Sequence, residues 1–120
     1  MKEINYDRLL AELNSCESKY DLVQVLLKNG IRTTTKPMQT KCKNDLYFQF
    51  ADRSRIQIEE ESIKLLTTNL ASKYLENDTW SFHDISWDGR YRTKYVTVQK
   101  TPENLKRMME YFLQDENNLI

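Results

Sequence analysis

Trp80-Ser81-Phe82-His83-Asp84-Ile85-Ser86-Trp87-Asp88-Gly89-Arg90-Tyr91-Arg92-Thr93-Lys94-Tyr95-Val96-Thr97-Val98-Gln99 is the stretch whose reading decides the fold class. Aromatic and β-branched residues fill both of its halves, and Asp88-Gly89 stands between them. An Asp-Gly pair suits the positive φ angles of a type I′ turn, so the stretch predicts a β-hairpin with strands over 80–87 and 90–99. A two-residue loop sets Trp87 opposite Arg90 and Ile85 opposite Arg92, and opposed residues share a face.

The apolar phase breaks within the first of these strands. Trp80 and Phe82 are even-numbered, whereas Ile85 and Trp87 are odd. One extra residue at His83-Asp84, a β-bulge, repairs the phase and places Phe82 across from Val96 and Trp80 across from Val98. The shared face then runs from an apolar half, which belongs on a core, into a half where Trp87 and Ile85 meet Arg90 and Arg92. Arginine stacks on aromatic rings, and both types dominate binding hot spots. Trp87, Arg90, Arg92 and Lys94 are therefore candidate contact residues. The plainer alternative is that Trp87 covers the core edge while the arginines reach out to water.

Thr101-Pro102-Glu103 follows the hairpin as cap, proline at the first helical position and acid in the first turn; the helix it opens presents Leu105, Met108, Met109 and Phe112. Upstream, Ser62 is expected to open a helix with Ile63, Leu66, Leu70 and Tyr74 on one face, ending near Asn77. Before it the period is two. Leu46, Phe48 and Phe50 point one way, Tyr47 and Gln49 the other, and Ile56 and Ile58 repeat the pattern beyond a turn at Asp52-Arg53-Ser54. Residues 32–44 carry four cations and no anion, and read as a loop or an extended edge segment.

At the start of the chain, Asn5 caps a helix over about 6–14 with Leu9, Leu10 and Leu13 on one face. Ser18-Lys19-Tyr20-Asp21 resembles a capping box and opens a second helix bearing Leu22, Val23, Leu26 and Leu27. Gly30 supplies a left-handed residue at its end, and Ile31 the apolar contact beyond. The expected architecture is α+β: an N-terminal helical hairpin followed by two β-hairpin–helix units (ααββαββα), with helices packed on one face of an antiparallel sheet. Residues 46–114 read as ββα twice, without identity between the halves, and 1–120 form a single domain.

The totals set limits on function. Lys plus Arg number 18 and Asp plus Glu number 18, so the chain is formally neutral and is not a polybasic protein gripping nucleic acid with its whole surface. The charge is nevertheless segregated. Residues 31–58 hold six cations and two anions, 89–100 four cations and no anion, and 59–88 two cations and seven anions. If the hairpins are neighbours, the basic segments converge, and Arg53 and Arg55 join the candidate contacts. Two cysteines, Cys16 and Cys42, without metal-ligand spacing fit reduced thiols of a cytoplasmic protein. No apolar run suggests a signal peptide or membrane span.

Site chemistry is sparse. His83 is the one histidine, and two glycines are too few for a Walker loop or dinucleotide turn. Asp45, Glu59, Glu61 and Lys64 are the residues a small metal-dependent nuclease would use, although acids before a helix also serve its N-terminus. Arg90-Tyr91-Arg92-Thr93-Lys94-Tyr95 and Arg53-Ser54-Arg55 interleave cations with aromatics or hydroxyls, as nucleic-acid grips do. The sequence therefore predicts a non-catalytic, cofactor-free protein-binding module that masks a site on a larger protein or nucleoprotein complex. A composition biased toward AT-rich codons suggests a phage or mobile-element inhibitor of the anti-CRISPR or immunity type. The alternatives are a nucleic-acid-binding protein using a basic-aromatic hairpin and the nuclease. No membrane partner is expected, and the chain would be a monomer or a homodimer paired through a sheet edge.

Overall fold

The computed structural model describes residues 3–32, 46–85 and 91–120, together with the backbone of 38–39. Helix α1 (Tyr6–Asn14) starts where Asn5 Oδ1 accepts from the Arg8 amide at 3.1 Å. Helix α2 (Lys19–Lys28) starts at Ser18, whose Oγ accepts from the Asp21 amide at 3.2 Å. It ends with Gly30 at φ +75°, the Gly30 amide on Leu27 O at 3.0 Å and the Ile31 amide on Leu26 O at 2.9 Å. Those two bonds form a Schellman closure, which turns the chain so that Ile31 is buried.

Among the described residues six antiparallel strands form one sheet in the order β1-β2-β3-β4-β6-β5. They are β1 (Met38–Gln39), β2 (Leu46–Gln49), β3 (Arg55–Ile58), β4 (Ser62–Thr67), β5 (His83–Asp84) and β6 (Lys94–Gln99). Helix α3 (Asn69–Leu75) connects β4 to the β5 side, and α4 (Pro102–Phe112) follows β6. Leu46, Phe48 and Phe50 point inward as the period-two reading requires, and Ile56 and Ile58 oppose them in register. With Ile63, Leu65, Val96 and Val98 they meet the leucines of α1 and α2, Ala71 and Leu75 of α3, and Leu105, Met108, Met109 and Phe112 of α4 in one core. The α+β class holds, with the helices on one face. Among the described residues no helix is long and apolar enough to cross a membrane.

One predicted helix is a strand. Residues 62–67, expected to begin a helix, form β4 at the centre of the sheet between β3 and β6. The i, i+3, i+7 spacing of Ile63, Leu66 and Leu70 misled because a central strand that carries an apolar residue on its outer face as well reads as a nearly continuous apolar run. Ile63 and Leu65 fill the core, while Leu66, on the other face, is only 2% exposed. The helix begins one residue after Thr68, whose Oγ1 accepts from the Ala71 amide at 3.1 Å. Leu70 and Tyr74, expected inside, are exposed; Ala71 and Leu75 pack inward instead.

The second hairpin also differs in detail. Asp88-Gly89 and the neighbouring residues 86–90 lie outside the described residues. Its first strand contracts to His83–Asp84, and the chain from Asn77 to Trp80 closes on itself through paired backbone bonds. Trp80 is buried in the core without being part of a strand, its ring beneath Arg107 at 5.2 Å. The register predicted for Phe82 with Val96 is the one that already holds at His83–Tyr95 and Asp84–Lys94. It continues to Ile85, whose amide donates to Thr93 O at 2.9 Å. Ile85 therefore faces Thr93 rather than Arg92, and no bulge sits at His83-Asp84.

Candidate binding face of the sheet

Side chains alternate between the two faces of a strand, so the face turned away from the helices has a composition set by β2, β3, β4 and β6. Registered pairing arranges it in two rows across the strands. One row is Tyr47, Gln57, Lys64 and Thr97; the other is Gln49, Arg55, Leu66, Tyr95 and His83. Leu66 is the buried floor of the second row, flanked by Arg55 and Tyr95 as its direct cross-strand neighbours.

Cations on and beside this face lie over tyrosine rings. The Arg55 guanidinium carbon is 4.0 Å from the Tyr47 ring centroid, and Lys64 Nζ is 5.0 Å from that of Tyr95. Beyond the end of the sheet, Arg53 covers Tyr91 at 4.5 Å. Arg92 reaches across from the second hairpin to the first, its Nη1 donating to Gln49 Oε1 at 3.2 Å. Each cation is thus held against a flat or polar neighbour, which limits its rotamer freedom before any partner arrives.

Arg53 owes its position to the β2–β3 turn. The Arg53 amide bonds to Phe50 O at 3.0 Å, and the Phe50 amide to Ser54 O at 2.9 Å. The three-residue loop between them ends in a left-handed residue, and here that residue is Arg53, at φ 72°. Asp52 Oδ1 accepts from the Ser54 amide at 2.8 Å and stabilises the turn. Behind it, the buried hydroxyls of Ser54 and Thr67 share a hydrogen bond of 2.6 Å that ties the turn to β4.

Of the residues singled out in the sequence, Arg53, Arg55 and Arg92 come together at the β2–β3 turn end of the sheet. The two basic segments do meet, as the bond from Arg92 to Gln49 records. Lys94 does not join them: it pairs with Asp84 on the edge strand and shares strand parity with the core residues Val96 and Val98. That contact holds the Asp84 carboxyl below its ordinary range. Trp87 and Arg90 lie outside the described residues. Tyr47 and Gln49 were legible as residues turned from the core, but their role beside the arginines was not, and Lys64, singled out for nuclease chemistry, was assigned to a helix by the reading of 62–77 rather than to this face.

Two of the nuclease candidates, Glu59 and Lys64, are engaged otherwise, and Glu61 is exposed. The Glu59 carboxylate accepts from Gln57 Nε2 at 3.2 Å and Ser62 Oγ at 2.9 Å, closing the β3–β4 turn. Its carbonyl accepts from Lys100 Nζ at 2.6 Å. Lys64 lies over Tyr95, and Asp45 falls outside the described residues. Among the described residues no three His, Cys, Asp or Glu side chains gather as a metal-binding group. His83 is exposed at the sheet edge, its ring 5.5 Å from that of Tyr95.

No family model, no curated protein and no solved structure matches this chain.

Proposed function

We propose that the protein is a non-catalytic binding module whose open sheet face masks an anionic site on a larger protein or nucleoprotein complex. One observation carries the reading: three cations, Arg53, Arg55 and Lys64, each lie over a tyrosine on or beside the face that the helices leave uncovered. A preorganised cation loses less rotamer entropy on meeting an anion than a freely rotating one. Arg and Tyr are also the residue types most often found at the energetic centre of an interface. An inhibitor of the anti-CRISPR or immunity type, carried by a phage or mobile element, would work by such masking, and the AT-rich codon bias of the composition suits that origin.

The test is comparative affinity capture with three versions of the chain: wild type, Arg53→Glu/Lys64→Glu, and Lys106→Glu as a control on the helical side. A partner recovered with wild type and with Lys106→Glu but lost with the double variant supports the reading. Equal recovery with the folded double variant overturns it.

A further inference from the structure

Resting on the binding-face reading, we infer that the anionic ligand of the open face is single-stranded nucleic acid, its phosphates met by Arg53, Arg55, Arg92 and Lys64 and its bases laid against the stacked arginine–tyrosine surfaces. Charge gives the first argument. Four cations occupy this face and its turn end; of the acids there, Asp52 is bound to the Ser54 amide inside the turn, and Glu59, at the opposite end, is bound into the β3–β4 turn. Among the described residues neither Arg53 nor Lys64 has a carboxylate within salt-bridge distance. Arg53 and Lys64 thus leave positive charge along this face although the whole chain is neutral, and its complement is a polyanion.

Shape gives the second. Acidic peptides offer carboxylates but few flat surfaces, whereas every nucleobase has a π face that stacks on guanidinium planes and tyrosine rings. Tyr47 is itself nearly covered, at 8% exposure, with the Arg55 guanidinium seated on it. Tyr91 is 42% exposed and can offer its own ring. Gln57 and Thr97, in the same row as Lys64, supply donors and acceptors for base edges.

The argument for a single strand is geometric. A duplex hides its base faces and is read by elements that enter a groove. Among the described residues the helices pack on the far side of the sheet, and what they leave is a broad face. Four strands ~4.8 Å apart span roughly 15 Å, room for a few nucleotides.

The experiment is fluorescence anisotropy with labelled 12-nucleotide oligo-dT and oligo-rU and a 12-base-pair duplex, over a salt series. It is paired with amide-shift titrations of the ¹⁵N-labelled protein by the same unlabelled oligonucleotides and by a poly-glutamate peptide. The single strands should bind more tightly than the duplex, with log K falling against log salt at a slope of about −2 to −3 for three to four phosphates. Shifts should concentrate at the open-face positions of β3, β4 and β6. Arg53→Ala/Lys64→Ala should weaken binding about tenfold or more and flatten the slope by about 1 to 1.5. Tyr91→Ala should weaken it without changing the slope, a separation that does not depend on the double variant.

Duplex binding as tight as single-strand binding, or shifts confined to the helical side, would overturn the inference. Shifts of the open face by poly-glutamate but not by the oligonucleotides would also overturn it, in favour of an acidic protein, and would leave the binding face standing. Silence toward both probes would overturn the nucleic-acid assignment, with the capture experiment then deciding the fate of the face itself.

Discussion

Arg53 occupies a conformation that glycine would adopt without strain, at the tip of the β2–β3 turn with its guanidinium over Tyr91. A non-glycine residue in the left-handed region costs about 1 kcal/mol, and such outliers gather where a side chain is needed more than stability. Arg53→Gly is therefore expected to leave the fold intact or stabilise it by up to about 1 kcal/mol in urea unfolding, while ligand binding falls. A destabilised variant, or unchanged binding, would show that the arginine serves the turn rather than the face. Asn118 has the opposite character. Buried at 2% exposure, it accepts from the Ala51 amide at 2.8 Å and donates through Nδ2 to Phe112 O at 2.8 Å. Its own carbonyl accepts from the Arg32 amide at 2.9 Å. One side chain thus joins the β2–β3 turn to the end of α4, and Asn118→Ala should cost about 2–4 kcal/mol by stranding both partners, measured by the same unfolding curves. Nothing in the sequence around Asn118 announces this, because its partners lie far away along the chain. Arg53 was legible as a cation in a turn, but its φ angle and its tyrosine were not.

Caps and alternation made most elements legible. Asn5, Ser18, Gly30 and Thr101-Pro102 mark the ends they predict, since each satisfies a backbone group that a helix end leaves open. Residues 62–75 were misread because one segment serves two elements in succession, a strand with Ile63 and Leu65 on the core face and Leu66 buried on the other, and then a short helix. The signal that divides them is Thr67-Thr68, where the second threonine is a cap and the first is buried against Ser54. Thr68→Ala should cost about 1 kcal/mol and shift amide exchange chiefly in α3. Global unfolding at a much larger cost would mean that the cap also anchors β4. The hairpin of 80–99 was legible as a pairing and as a register family. The expected bulge at His83-Asp84 is absent, because Trp80 reaches the core from outside the strand and its parity places no demand on the pairing.

At the scale of the whole molecule, the titratable groups with displaced affinities set the ends of the stability profile. Burial, with Glu110 nearby, pushes the Tyr6 phenol up; burial, with Asp52 and Tyr74 nearby, does the same for Tyr111. Raised folded-state values mean that their contribution is complete below the ordinary phenol range and fades as pH climbs through and above it, from roughly pH 10. Glu12 behaves inversely. The hydrogen bond from Lys28 that links α2 to α1 holds its carboxyl low, so its contribution is complete above the ordinary carboxylate range and is lost as pH falls through the folded value. Stability should decline at both extremes, with Tyr6→Phe flattening the alkaline limb and Glu12→Gln the acid limb in unfolding curves taken across pH. A Tyr6→Phe profile that matched wild type would remove that phenol from the account.

The outermost paired strands, β1 and β5, are each two residues long, while the four longer strands lie between them. Long bare edges are the templates on which chains stack into fibrils, and very short ones are a recognised defence. The described sheet thus places its most apolar strands where another copy cannot lengthen them. It can present a sticky, stacking surface on one face without inviting amyloid growth from its sides.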